Sequence, residues 1–453
     1  MHALLRRLKE VNVAALAVLL VLFIALLLNG ANSATGAALF SMTTLGAFAI
    51  AVAVAPRRAL KSVLAANWLS IAAALTFLAL AVLSAMPGLA LRELPHPLWA
   101  IVGDDAWPLS LSPYRTLEGA VAVLSSFAAY ALGALLAPDS SARDWAGRWL
   151  VAVSILYAFI GLYLFFSPAA QGGTRLDVGV SSANAAAALF GVLALSAAAL
   201  MVRAARGRLD SSVETPLRSG WRWAGFALKA PLSFAAILFL FACLLLTASR
   251  GGLVATLIGF LIFATAISTQ SLRHAGARGG VLLTPVVLIA AAFLLLFLRG
   301  GEEVVQRFAL AAEDLEVRRA LASAHWTYVL ERPLLGHGLN TYHELNSLAA
   351  TPENWNALRA PGSAHNIFIQ VLEETGVVGL GLWALMLATP LFRGIARITG
   401  RRSGAEWAAA AFAATALLLL HGVVDFTLQV PAIAALYAFV LGMTLGRSER
   451  RTA

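Results

Sequence analysis

Apolar runs of about 17 to 25 residues, long enough to cross roughly 30 Å of hydrocarbon as a helix, recur about twelve times along this 453-residue chain. They fall at 11–28, 35–55, 62–84, 116–137, 148–166, 184–202, 226–248, 252–268, 281–298, 366–391, 405–423 and 429–446. In hydrocarbon every backbone amide and carbonyl needs an internal partner, which leaves helices and closed barrels, and runs of this length fit helices. The chain is 60% hydrophobic and only 12% charged, with a mean hydropathy of +0.81, outside the balance of soluble domains. The expected fold is all-α and polytopic, with about twelve transmembrane helices. No internal repeat is visible, which argues against the paired halves of many secondary transporters.

The net charge of +10 does not point to nucleic acid, because the basic residues fall in short blocks on alternate sides of successive spans. Arg6, Arg7 and Lys9 precede the first span, and Arg57, Arg58 and Lys61 follow the second. Further blocks on that side are Arg143 and Arg148; Arg203, Arg206, Arg208, Arg218 and Arg222; Arg273 and Arg278; Arg393, Arg397, Arg401 and Arg402; and Arg447, Arg450 and Arg451. The opposite loops are poorer, with Arg92, Arg115, Arg175 and Arg250 ahead of one long polar segment. The positive-inside rule then puts both termini in the cytoplasm and that segment, 299–365, on the outward face. The basic start and the small residues at 31–34 resemble a signal peptide, but the apolar run is too long, so it reads as an uncleaved anchor. The single cysteine, Cys243, excludes an intramolecular disulfide.

Polar and ionisable groups are costly in lipid, so chemistry is expected on or beside the 299–365 segment, which carries Arg318, Arg319, His325, His337, His343 and His365. Leu315, Ala322, Trp326 and Leu330 space an apolar stripe that predicts a helix over 314–331. Glu313, Asp314 and Glu316 suit its start, where the helix dipole favours negative charge, and Pro333 stops it before a turn at Gly336 and Gly338. Arg318, Ala322 and His325 share one face, with Arg319 and Trp326 on the next. The chain re-enters the bilayer at Ser363–Asn366, with Asn366 as N-cap and His365 beside a helix N-terminus, whose free amides favour anions. Plainer roles fit other residues: His325 reads as helix packing, and His2, His337 and His343 as non-catalytic. His421 and Asp425, four apart, read as a structural pair, and Trp99 and Trp107 as headgroup-level aromatics. Asn184 and Asp177 suit either loop capping or a binding site. His337, His343, Glu344 and His365 lack the tight spacing of a metal site.

Several short segments together resemble the O-antigen ligase and polymerase superfamily. They are Arg318; Arg332-Pro-Leu-Leu-Gly-His-Gly338; His365-Asn-Ile-Phe-Ile-Gln370; and Glu374-Thr-Gly-Val-Val-Gly379. Ser249-Arg-Gly-Gly252, Asn184 and His421-Gly-Val-Val-Asp-Phe426 add to the likeness. Two positions depart from the family pattern: Ala322, where an aromatic residue is usual, and the Ser-Ser-Ala-Asn184 segment. The resemblance implies a division into N-terminal membrane helices (1–225), a signature domain with the polar loop (226–391) and C-terminal helices (392–453). It also implies a metal-independent glycosyltransferase, with no cofactor, in the bacterial inner membrane. Such an enzyme takes a glycan from undecaprenyl pyrophosphate on the periplasmic face and passes it to an acceptor.

Guanidinium forks can hold the charge of the departing pyrophosphate without a metal. Arg250 and Arg318 are the candidates, with Arg319 in reserve; Gly251 and Gly252 open backbone space beside Arg250 that a lipid-snorkelling anchor does not need. His365 suits the base that takes the acceptor's proton. Asn184 and Asn366 complete the expected site as substrate-binding residues. With one outward loop of moderate length, lipid A core is the first expected acceptor. A growing glycan and a protein hydroxyl share the same chemistry. A transporter or flippase, the alternative class, predicts charged residues at mid-span, and this chain has few.

Overall fold

A computed structural model describes residues 31, 33–87, 96, 98–99, 108–167, 175–180, 182–209, 230–275, 301–359, 362–400 and 404–444. Among them the regular structure is helical: α1 Ala34–Val54, α2 Arg57–Ala85, α3 Pro113–Leu136, α4 Ser140–Phe166, α5 Ala183–Leu209, α6 Pro231–Leu246 and α7 Arg250–Ala275. There follow α8 Gly301–Glu331, α9 Tyr342–Ala349, α10 Trp355–Leu358, α11 Ile367–Thr399, α12 Ala405–Gly422, a 3₁₀ turn at Thr427–Gln429 and α13 Pro431–Gly442. Eight of these are long and apolar enough to cross a membrane, and α6 and α13 are shorter apolar helices. Ten of the expected spans therefore coincide with apolar helices. Those at 11–28 and 281–298, and Trp107, lie outside the described residues.

The bundle is built around α5. Its sequence is alanine-rich on every face, and its residues from Ala185 to Ala199 are all buried. A helix that is apolar all round belongs inside a bundle, and small side chains let neighbours come close. α4, α6, α7 and α12 pack around it. A second contact joins α3 to α13, where Gly133 faces the Phe439 carbonyl and Gly442 faces the Tyr130 carbonyl. A β-carbon at either glycine would stand about 2 Å from that oxygen, so the two backbones meet directly there. At one end of the bundle Arg203 pairs with Asp144 at 3.0 Å and with Glu406 at 3.8 Å. The polar cap formed by α8 to α10 lies at the other end.

The structure corrects two sequence expectations about this cap. Its first helix begins at Gly301, not near 314, and the expected tenth span is not continuous. α11 breaks at Gly376 (φ 64°, ψ −172°), a conformation open essentially to glycine alone. A broken helix frees carbonyls on one side and amides on the other, and these need partners. The turn after α8 supplies them. His337 N–H donates to Glu373 O (2.8 Å) and Gly338 N–H to Glu374 O (2.9 Å), while Val377 N–H donates to Pro333 O (2.8 Å) and Val378 N–H to Leu334 O (3.2 Å). The fit leaves no room for side chains at either crossing: a β-carbon on Gly336 would lie 2.4 Å from Glu374 C, and one on Gly376 2.2 Å from Leu334 C.

A second loop is stitched to the same turn. Leu111 N–H donates to His337 O (2.8 Å), Arg332 Nη1 to Leu109 O (3.1 Å) and Thr116 Oγ1 to Leu339 O (2.9 Å). Trp99, expected at headgroup level, bonds through Nε1 to the Ser110 carbonyl (3.0 Å). Buried between the loops are His96 and His337. Leu98 N–H donates to His96 Nδ1 (3.3 Å), His96 Nε2–H to His337 Nδ1 (2.8 Å), and His337 Nε2–H to the Tyr328 carbonyl (2.9 Å). An amide that only donates at one end and a carbonyl that only accepts at the other set both tautomers. Both rings must be neutral, because a further proton on either sets two donors face to face.

Two outcomes are expected. Gly376→Ala should cost roughly 1–3 kcal/mol in backbone strain, before any overlap with Leu334, read as a lower melting temperature in detergent. The second concerns pH. Burial, with His337 and Arg332 nearby, holds His96 down at about 4 against an ordinary 6.5, and burial also lowers His337. A histidine depressed on folding contributes stability that is fully present above its unfolded value and is lost as pH falls toward its folded value. Amide exchange at Ser110 and Leu111 should therefore quicken as pH drops from about 6.5 to about 4, once corrected for intrinsic rates. His96→Gln, which can still donate to His337 but does not titrate, should flatten that response.

Candidate active site

Helix ends and loops from distant parts of the chain converge on the cap side around residues 421–427. α12 ends at Gly422, and His421, buried in its last turn, bonds through Nδ1 to Thr427 Oγ1 (3.0 Å). Asp425, fully buried, accepts from Asn184 Nδ2 at the start of α5 (2.7 Å). These two residues were expected to pair with each other. Their side-chain hydrogen bonds go elsewhere, because the helix stops between them, but the Asp425 carboxylate stays near enough for its charge to act on His421.

Asn184 is held in turn by Arg175, whose Nη2 donates to Asn184 Oδ1 (2.8 Å) and whose Nε donates to the Thr247 carbonyl (2.9 Å). Thr247 closes α6, Ala248 takes a left-handed conformation (φ 50°), and α7 starts two residues later at Arg250. Ser249 Oγ accepts from Gly252 N–H (3.2 Å), and a β-carbon on Gly251 would lie 3.3 Å from His421 Cδ2. The Arg175–Asn184–Asp425 chain thus ties the loop before α5 to the α6–α7 reversal and to the turn after α12. Arg250, itself exposed, stands one residue from contact with His421. Asp177 caps its own turn by accepting from Gly179 N–H (3.1 Å) and joins none of these contacts.

His365 enters from the cap side. Its backbone is left-handed (φ 48°), its ring is half-buried, and it meets Phe426 edge-on with ring centres 5.2 Å apart. Asn366 is the N-cap that was expected, accepting from Phe368 N–H (3.0 Å) and Ile369 N–H (3.2 Å). Its side-chain oxygen is committed to that capping. The preceding amide, Ala364 N–H, donates to Gln370 Oε1 (3.1 Å), Gln370 Nε2 to Glu374 Oε1 (3.0 Å), and Asn340 N–H to Glu374 Oε2 (2.8 Å). This buried relay carries the positions of the kink and the cap turn directly to the backbone beside His365.

Arg318 lies on the face of α8 that the helical spacing assigns to it, close enough for its charge to act on His421. Arg319, on the neighbouring face, is exposed and makes no hydrogen bond or ion pair among the described residues. His325 is buried one turn further along α8, as expected, but as part of a polar cluster. Its Nδ1 lies 2.6 Å from Glu373 Oε2 and its Nε2 3.2 Å from Asn346 Oδ1, with the ring stacked on Tyr342. The Asn346 amide is oriented by its own bond to the Leu358 carbonyl (2.8 Å), so both His325 nitrogens face acceptors. His343 is exposed, His337 turns to His96, and Glu344 lies 3.6 Å from Arg115. Among the described residues no group of three His, Cys, Asp or Glu side chains gathers as a metal site would require.

Asn184 and His365 therefore touch the 421–427 turn directly, Arg250 adjoins Gly251, which faces His421, and Arg318 stands near enough for its charge to act on His421. Sequence reasoning missed Arg175 as the clamp on Asn184, the His325–Glu373 pair and the His96–His337 pair. The acids carried a usable signal, since Glu373 and Glu374 stand beside a membrane-length apolar run, where charge is costly without a partner. His96 carried none, as its partner lies 241 residues away.

Residues 234–384 match the family model described as O-antigen ligase. No curated protein matches the chain. The matched stretch runs from α6 into α11 and supplies Arg250, Arg318 and His365, while Asn184 and Asp425 lie outside it. The chain is thus a multi-pass helical membrane protein that carries an O-antigen ligase family domain over residues 234–384.

Proposed function

We propose that this protein is a metal-independent glycosyltransferase of the bacterial inner membrane. It moves a glycan from undecaprenyl pyrophosphate to an acceptor hydroxyl at the periplasmic face, with both termini in the cytoplasm. The observation that supports this reading is that His365 packs on Phe426 while the segments carrying Arg250 and Arg318 come to His421 in the same turn, Gly251 by packing and Arg318 by its charge. Two guanidinium groups suit a pyrophosphate leaving group, whose charge grows as the glycosidic bond breaks. An imidazole on the same side suits removal of the proton from the attacking hydroxyl. In a direct displacement the acceptor oxygen bonds to the anomeric carbon as the pyrophosphate oxygen leaves with the bonding pair, and the configuration inverts. Asn184 and Asp425, braced by Arg175, keep the floor of the site in place for that step. Lipid A core is the acceptor proposed first. A growing polysaccharide or a protein hydroxyl needs no change in these residues.

In a strain lacking this protein, gel analysis of the surface polysaccharide should show core without attached chains. A single repeat on the core would assign a polymerase instead, and unchanged lipopolysaccharide would place the acceptor elsewhere. Restoring the protein should restore transfer, whereas Arg250→Ala, Arg318→Ala and His365→Ala should each reduce it by at least about 100-fold while still reaching the membrane. Arg318→Lys, which keeps the charge and loses the fork, should fall by about tenfold. Wild-type transfer by all three alanine variants would remove the proposed site. Chelation by EDTA should leave the purified activity unchanged.

A further inference from the structure

The outer face of α8 changes character along its length. Glu316, Arg319 and Ser323 are exposed and polar, and then Trp326, Leu330 and, in the following turn, Leu334 are exposed and apolar at 44%, 64% and 64%. Trp326 and Leu330 are one helical turn apart and share a face, opposite the inward-facing Leu321, His325 and Val329. The hydrogen bonds from Val377 and Val378 to Pro333 and Leu334 hold this apolar edge against the first residues of the unbroken part of α11. Val377 and Val378 are themselves half exposed, on a helix whose apolar stretch runs on toward Arg393 and Arg397. From Val377 to Arg397 the helix rises roughly 30 Å, the thickness of the hydrocarbon layer. Val377 therefore stands at the apolar–polar boundary, and the Trp326–Leu334 edge continues its lipid-facing surface at the same depth.

We propose that the end of α8 and the turn after it form an interfacial anchor, with Trp326, Leu330 and Leu334 embedded in the headgroup and upper acyl region of the bilayer. The partner of this surface is lipid. Tryptophan at the edge of the patch fits the headgroup level, and leucines beyond it fit the acyl boundary. The loss of apolar character toward Glu316 fits a helix that rises out of the bilayer toward its N-terminus. This assignment stands apart from the transfer reaction, since it depends only on where the cap meets the membrane.

The test uses the full chain in phosphatidylcholine vesicles, on a Cys243→Ala background, with a nitroxide label placed in turn at Leu330→Cys, Leu334→Cys, Val378→Cys and Glu353→Cys. Labels at 330 and 334 should collide preferentially with oxygen, as at 378, while the label at exposed Glu353 should favour a water-soluble nickel chelate by several-fold. Nickel preference at 330 and 334 would overturn the proposal by placing the edge in water. Shielding from both reagents would also overturn it, by showing that protein covers the edge. A second measurement needs no substitution: a phospholipid carrying a photoactivated diazirine on its acyl chain should label the 326–334 peptide of the unmodified protein. Labelling of the 377–383 peptide without the 326–334 peptide would overturn the anchor.

Discussion

Everything on the cap side depends on how the break at Gly376 is repaired. A helix interrupted in a packed interior leaves buried backbone groups without partners, and each costs roughly 1–3 kcal/mol if unmet. The turn 333–338 meets four of them, two carbonyls and two amides, from one short stretch of backbone. Because hydrogen bonds run in both directions across the crossing, the turn can neither slide nor tilt without losing some of them. The cap is thereby held to the bundle by backbone complementarity, with side chains excluded at Gly336 and Gly376.

That lock has consequences at both ends. Toward the centre, the Glu374 side chain next to the break receives Asn340 and Gln370, and Gln370 reaches the amide before His365, so the imidazole's position is tied to the kink. Toward the periphery, the same turn takes up Leu111 and, through His337, the buried His96. The other wall of the proposed site has hydrogen bonds of its own. Arg175, Asn184 and Asp425 link the α6–α7 reversal to the end of α12 without touching the cap. The proposed site therefore lies between two walls, the membrane bundle carrying Arg250 and the cap carrying Arg318 and His365.

Much of this was legible in the order of residues. Apolar length located the spans within the described residues, because the thickness of a bilayer is a fixed external ruler. Helical spacing put Arg318 with His325 and apart from Arg319, and the placement of Asn366 before an apolar run marked a cap that the structure bears out. The break in α11 was partly visible as Thr-Gly within a span. Glycine in an apolar run is also common in close helix packing, as at Gly133 and Gly442, so composition alone does not separate the two uses.

By itself, then, the sequence determined an all-helical membrane-spanning chain, its polar cap and the residue types available for chemistry. These follow from local periodicity and from the cost of polar groups in lipid, neither of which needs a partner to be known. Only the tertiary structure decided that His421 bonds Thr427 and not Asp425, that Asp425 belongs to Asn184, that Glu373 belongs to His325, and that His337 answers His96. For His421 the physical reason is local, the end of α12 between it and Thr427, six residues further along the chain, and the other three share one reason. A buried polar group takes whichever complementary partner the packing of distant segments brings within about 3 Å, and a bond across 48 or 241 residues leaves no periodic trace in the chain.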